Sequence, residues 1–271
     1  MNNKTKDYAL ITGGSEGIGK AFAEECAVRG MNLIIAALPG PSLINSGEYF
    51  RKTYGVDVET LGINLTEKDA PQRLFDFCRD KGLRVRLLVN NAGLAGSAVF
   101  AKSSLEEIDK RIQLNIRAMV FLTRLFIPSM KELDSAYILN IGSLGGYFAI
   151  PYKSLYTASK AFVLVFTKAL REELKNTGIS VGQVCPNGVR TNIGSHARID
   201  SHGFIGRLTQ VPADKIARLS LRKFFKGKSL IIPGFVNKVL LFLGKVFPER
   251  IQQKILFREF RKELAADDWE K

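Results

Sequence analysis

Tyr156 precedes Lys160 by four residues, and Ser143 lies a short way upstream of both. On a helix that spacing puts the phenol and the ammonium on one face, one turn apart. An ammonium beside a phenol favours the phenolate, so it lowers the phenol pKa from its ordinary value near 10. A phenol tuned in this way is a general acid or base usable near neutrality. Ser143 follows an apolar run, where a strand should end, and its hydroxyl could hold a carbonyl oxygen. Taken alone, the Tyr–Lys pair reads as a surface contact on an amphipathic helix. The elements that must position it change that reading.

Those elements alternate. Tyr8 to Thr12 is short and apolar, as a buried strand should be. It runs into Thr12-Gly13-Gly14-Ser15-Glu16-Gly17-Ile18-Gly19, and Lys20 to Val28 then has helical periodicity. Strand, glycine-rich turn and helix aim backbone N–H groups and a helix N-terminus at a phosphate. The spacing Gly-x3-Gly-x-Gly differs from the commoner Gly-x-Gly-x-x-Gly, and such a turn can be merely a tight connection. Its place after the first strand favours phosphate binding. A second strand covers Met31 to Ala37, a helix about 42–54, and a third strand Val56 to Ile63. Asn64-Leu65-Thr66 should end that strand and cap a helix over about 67–81. Val85 to Val89 is a fourth strand, and the small residues of Asn90-Asn91-Ala92-Gly93 would let a ligand lie close to the backbone. Ser104 caps a long helix with Ile108, Ile112, Asn115 and Met119 at helical spacing, so Asn115 lies on or near a buried stripe.

Tyr137 to Ile141 is a fifth strand and delivers Ser143. The helix of Tyr156 continues through an apolar stretch at 161–166 to about Asn176. Apolar all round, it should be buried on both sides, against the sheet and against a second subunit. Ile179 to Val184 is a sixth strand, followed by Cys185-Pro186-Asn187-Gly188-Val189-Arg190-Thr191. Pro212 opens a helix to about Lys226, and Lys228 to Pro233 is a seventh strand. The alternation predicts an α/β fold with a parallel sheet covered on both faces. Ligands of such folds bind beyond the C-terminal ends of the strands, where the glycine turn, Asn90, Ser143 and Pro186 all fall.

Composition agrees. A chain of 271 residues, 46% hydrophobic and 24% charged, suits one large folded domain. Three cysteines in no CxxC pair and two histidines, His196 and His202, argue against a disulfide framework or a zinc site. No signal peptide is evident, and no apolar run approaches the roughly 18 residues of a membrane span. A cytoplasmic protein is expected, soluble or peripheral at the membrane surface. Net charge is +14, with thirteen Lys or Arg against two Glu between Lys215 and Lys262.

TGGSEGIG at 12–19, NNAG at 90–93, Ser143 with YTASK at 156–160, and PNGVRT at 186–191 occur together and in order. With these motifs the chain resembles the short-chain dehydrogenase/reductase superfamily over about residues 6 to 235, and within it the reductases acting on fatty-acyl and steroid ketones. The resemblance implies a Rossmann-type doubly wound parallel seven-stranded sheet. It also implies hydride transfer between a nicotinamide cofactor and a carbonyl or secondary alcohol of a bulky apolar substrate. Tyr156 would pass the proton and Ser143 would hold the substrate oxygen. Lys160 would lower the tyrosine pKa and bond the nicotinamide ribose, and Asn115 would anchor a water in a proton relay. Thr12, Gly13, Ser15, Glu16, Gly17, Ile18 and Gly19 would surround the pyrophosphate side of the cofactor. Leu38, Asn64, Leu65, Asn91, Ala92 and Gly93 would lie along adenosine and ribose, with Pro186, Val189 and Thr191 at the carboxamide.

Departures are specific. Asn187 precedes a displaced Gly188, and Asn64 stands where the family commonly has aspartate. The second strand ends at Ala37-Leu38, with neither an acid for a ribose 2′-hydroxyl nor an arginine for a 2′-phosphate. The cofactor is therefore NADP(H) or NAD(H), leaning to NADP(H), although Glu16 would repel a 2′-phosphate if it pointed that way.

Residues 1–235 form the expected domain, with a substrate loop at about 191–211 that can close over substrate. Residues 236–271 form a basic, amphipathic helical extension. That extension could cover the pocket, meet a second subunit, or dock on a membrane through 236–264. No motif supports nucleic-acid binding. Two rival functions remain: a non-catalytic cofactor-sensing interaction protein, and a membrane-surface keto-lipid reductase.

Overall fold

The computed structural model describes residues 6–189 and 209–264. Its framework is a seven-stranded parallel sheet of β1 (Asp7–Thr12), β2 (Asn32–Ala37), β3 (Val58–Gly62), β4 (Arg84–Asn90), β5 (Ala136–Ile141), β6 (Ile179–Val184) and β7 (Leu230–Ile231). The spatial order is β3-β2-β1-β4-β5-β6-β7. The connections wind outward in opposite directions from β1 and β4. That reversal opens a crevice beyond the C-terminal ends of these two strands.

Successive strand residues face opposite sides, so the central strands must be apolar throughout. Ile11, Ile35 and Val89 pack on one face with Phe22 of α1 (Gly17–Val28), Phe50 of α2 (Pro41–Tyr54) and Leu221 of α7 (Ala213–Phe224). Leu10, Ile34 and Leu88 pack on the other with Leu74 of α3 (Ala70–Asp80), Phe126 of α5 (Met119–Met130) and Leu170 of α6 (Ser154–Leu174). The sheet is thus doubly wound, as expected. Cys26 lies in the first core, Cys78 in the second, and Cys185 is buried just past β6.

Three boundaries moved for local reasons. The third helix starts at Ala70 because the Asn64 side chain closes a turn of its own, accepting from the Thr66 N–H at 3.2 Å and the Thr66 hydroxyl at 2.9 Å. The seventh strand is two residues long, cut short where Pro233 lacks an N–H and Gly234 takes φ 87°. The helix after Ser104 is long and unbroken but not α-helical throughout: α4 (Leu105–Ile112) passes through a π-helical turn over Gln113–Ala118 into α5. Ser104 is the expected cap and forms a full capping box with Glu107. Two further helices, α8 (Phe235–Val246) and α9 (Glu249–Arg261), form the C-terminal extension. Thr191, His196, His202 and most of the expected substrate loop lie outside the described residues.

Candidate active site

The crevice is built by strand exits. β1 ends at Thr12, whose hydroxyl accepts from the N–H groups of Asn91 at 2.9 Å and Ala92 at 3.0 Å. The Asn91 amide donates back to the carbonyls of Thr12 at 2.8 Å and Gly13 at 3.1 Å. The glycine-rich turn is thereby fixed to the end of β4. A Cβ on Gly19 would come within 2.1 Å of the Gly13 carbonyl oxygen, so the turn closes only with glycine there. Asn91 therefore directs its side chain at the turn. Ser15 is held by its carbonyl, which accepts from the Ser46 hydroxyl at 2.9 Å.

Helix α1 starts at Gly17, and its N-cap residue Glu16 makes no side-chain capping bond. The Glu16 carboxylate instead accepts from Ser42 at the start of α2, at 2.6 Å. The first turn of α1, with Gly17, Ile18 and Gly19, thus presents backbone N–H groups and the positive end of the helix dipole beside the crevice. A pyrophosphate fits that chemistry. Leu38, at the exit of β2, is exposed, and Leu65 is buried beneath the neighbouring turn.

β5 ends at Ile141 and hands the chain to Ser143. The Ser143 oxygen accepts from the Gly145 N–H at 3.0 Å, which orients the hydroxyl and leaves its hydrogen to be donated elsewhere. A 3-10 turn over Leu144–Tyr147 then packs tightly on α6: a Cβ on Gly146 would lie 2.7 Å from the Lys160 carbonyl group. The Leu144 N–H donates to the Pro186 carbonyl at 2.8 Å, tying the exit of β6 to the same turn. Val189 packs partly buried against the first core.

Helix α6 carries Tyr156, half-buried, and Lys160, buried. The ammonium lies 6.0 Å from the centre of the Tyr156 ring and donates to the Ile141 carbonyl at 2.8 Å. Burial pushes the Lys160 pKa down to about 8. Tyr147, the other phenol of this region, is pushed up by burial, with the Cys185 thiol beside it, so it is a poor acid or base. Tyr156 stands on the lysine's own helix face.

Asn115 sits in the π-helical turn. Its oxygen accepts from the Leu94 N–H at 2.7 Å, and its amide donates to the Leu94 carbonyl at 3.0 Å and to the Ser159 hydroxyl at 3.1 Å. It joins the exit of β4 to α6, one residue from Lys160. A Cβ on Gly93 would approach both the Asn115 oxygen, at 3.2 Å, and the Lys160 ammonium, at 3.6 Å. Asn115, Gly93 and Lys160 therefore meet at one point, with the Tyr156 ring 6.0 Å from the Lys160 ammonium. The arrangement can hold a carbonyl oxygen and pass it a proton.

Two features escaped sequence reasoning. Asn90, Thr123, Asn140 and Thr167 form a buried chain of amide and hydroxyl bonds behind the site, with Asn90 donating to Asn140 at 2.9 Å and Asn140 to Thr167 at 2.9 Å. Asn187, the departure from the family pattern, donates to Asn237 of α8 at 3.2 Å. It thereby links the exit of β6 to the C-terminal extension.

A doubly wound sheet of this strand order, with a glycine-rich turn after its first strand, defines a Rossmann-type α/β domain with a crevice at its switch point. The chain belongs to the short chain dehydrogenase family, whose model matches residues 7–201. It is 33% identical over 193 residues to the very-long-chain 3-oxoacyl-CoA reductase of Mus musculus, covering 69% of this chain. That match spans 61% of the mouse protein, and the chain covers about three fifths of several such relatives. The 17-beta-hydroxysteroid dehydrogenase type 3 of Danio rerio is 32% identical over 265 residues, 96% of this chain and 83% of that one. A short-chain dehydrogenase from Sphingobium yanoikuyae, solved in complex with NADPH, is 31% identical with a TM-score of 0.76, covering 97% of this chain and all of that one.

Proposed function

We propose that this protein is a nicotinamide-dependent oxidoreductase that interconverts a ketone and a secondary alcohol on a bulky apolar substrate. The carrying observation is the buried Lys160 on the Tyr156 face of α6, against which the turn that orients the Ser143 hydroxyl is packed. The α1 N-terminus and the braced turn at 12–19 would hold the pyrophosphate, and Asn64, Leu65, Asn91, Ala92 and Gly93 the adenosine side. When bound, the nicotinamide supplies or accepts the hydride. Ser143 donates to the substrate oxygen, Tyr156 gives that oxygen its proton, and Lys160 as ammonium stabilises the resulting phenolate. Asn115 holds the entry for proton replacement.

NADPH is the favoured cofactor. Neither Ala37 nor Leu38 supplies an acid to a ribose 2′-hydroxyl, and a relative at 31% identity binds NADPH. The apolar substrate class is supported by relatives named for 3-oxoacyl-CoA and hydroxysteroid chemistry. Replacing Tyr156 with Phe should abolish ketone reduction while a fluorescence titration shows NADPH binding nearly unchanged; retained turnover would remove Tyr156 from the mechanism. Reduction should also slow as pH rises above about 8, where Lys160 loses its charge.

Two surfaces support further readings. Phe162 and Val165 on α6 are exposed, as is Phe121 on α5, and the exposed pair on α6 favours a homo-oligomer formed through helix 152–176. Phe242, Val246, Ile251 and Ile255 are exposed on α8 and α9 near Arg250, Lys254 and Arg258, a pattern that favours peripheral docking of 236–264 on an anionic membrane, from the cytoplasmic side. Among the described residues no helix is long and apolar enough to cross a membrane. In this reading residues 1–235 are the catalytic domain and 236–271 its docking extension.

A further inference from the structure

We infer that Glu263, in the C-terminal extension just past α9, is a positioning residue for the substrate side of the proposed active site. Lys153 is the N-cap residue of α6, three positions before Tyr156. Its ammonium lies 2.8 Å from Glu263 Oε2, and the Glu263 side chain is only 1% exposed. The same oxygen accepts from the Ser97 hydroxyl. Ser97 belongs to the stretch leaving β4, and Lys153 to the stretch leaving β5. One buried carboxylate from the far end of the chain therefore bridges the two strand exits that flank Tyr156.

The surrounding contacts point the same way. The Ala98 N–H donates to the Tyr152 carbonyl at 2.8 Å, stitching the two stretches together. The Lys153 ammonium also sits 4.8 Å from the centre of the Phe260 ring. Phe257 packs on Tyr152 at 5.6 Å between ring centres, and the Gln253 amide donates to the Ala149 carbonyl at 2.9 Å. Tyr152 holds φ 63°, the only non-glycine with positive φ among the described residues. A bulky side chain keeps that conformation only where its surroundings over-determine it. Here those surroundings include α9. Gly96, Ala98, Tyr152, Lys153 and Tyr156 line one small cavity, so the braced segment forms a wall beside the proposed proton donor.

Apolar contacts alone could seat α9. A buried, directional charge pair does more: it sets which loop atoms meet and in what register, and losing one member leaves the other buried and unpaired.

Hydrogen exchange on the full-length chain tests the role. In Glu263→Gln, amide exchange should rise about tenfold at Ala98 and over 152–156 while β1 to β6 keep their protection. Exchanging the charges in Lys153→Glu with Glu263→Lys should restore protection. Faster exchange confined to 249–264, or spread through the whole sheet, would overturn the inference, because the residue would then serve the tail alone or the fold at large.

The kinetic consequence rests on the proposed oxidoreductase activity. With NADPH and a long-chain 3-oxo ester as the probe, Glu263→Gln should raise KM about tenfold, with kcat and NADPH affinity within about twofold of the parent, and Glu263→Asp should recover most of the loss. An unchanged KM, or a joint loss in kcat, KM and cofactor affinity, would overturn the substrate-side assignment. If the parent protein reduces no ketone, the function proposal fails, while the exchange result still decides what Glu263 does.

Discussion

Lys160 joins the chemistry of the site to its stability. In the unfolded chain it titrates near 10.5; in the folded protein burial brings it to about 8. Between those values the unfolded chain binds more protons, so stability rises with pH across the window. The full penalty of burying the ammonium is present below about pH 8 and is gone above about 10.5. Lys160→Met removes the charge and keeps most of the volume. In urea unfolding without cofactor at pH 7 it should be more stable than the parent by up to about 3 kcal/mol, and its stability should change less between pH 8 and 10. A less stable variant would mean that the bond to the Ile141 carbonyl outweighs the cost of burial. A more stable variant would mean that catalysis retains a lysine that stability opposes, a known pattern at functional sites.

At the scale of elements, close approach sets the geometry. Gly146 lets the 3-10 turn after Ser143 lie directly on the Lys160 backbone. Gly146→Ala would force turn and helix apart, and should destabilise the fold by about 1–3 kcal/mol in chemical denaturation while lowering turnover. Wild-type stability in this variant would show that the turn relaxes freely. The same scale explains what the sequence could reveal. Tyr156 and Lys160 were legible because helical spacing is local, and the seven strands because apolar runs between turn residues are local too. The π-helical turn at Asn115 was hidden, since it depends on bonds to Leu94 and Ser159 that no local pattern records. Asn64 was expected to cap a helix and closes a turn instead, a choice between two nearby partners that spacing does not decide. Glu263 was invisible for the same reason as Asn115: its partners Lys153 and Ser97 are more than a hundred residues away, in a tail whose composition reads as basic.

On the scale of the whole molecule, the extension has two faces. Its inner face reaches the active-site loops through Glu263, Gln253 and Asn237, and Asn237 is fully buried, donating to the carbonyls of Thr209 and Pro233. Deleting the extension would disturb the site, so the membrane reading is better tested on the outer face. Full-length protein should float with vesicles containing anionic lipid, more weakly as salt rises. Phe242→Ser combined with Val246→Ser should lose most of that flotation with the fold intact. Equal flotation of both proteins would discard docking through this face.

The three cysteines bring a separate consequence. Burial pushes each thiol up to about 12, so at neutral pH none offers appreciable thiolate to an alkylating reagent in the folded state. Each sits in a different place: Cys26 on the buried face of α1, Cys78 on that of α3, and Cys185 just past β6, beside Tyr147 of the turn after Ser143. The protein therefore carries three native clocks for its own opening. Pulses of alkylating reagent, read by mass, would report which half of the molecule parts from the sheet first, and whether the region behind Ser143 opens with it or alone.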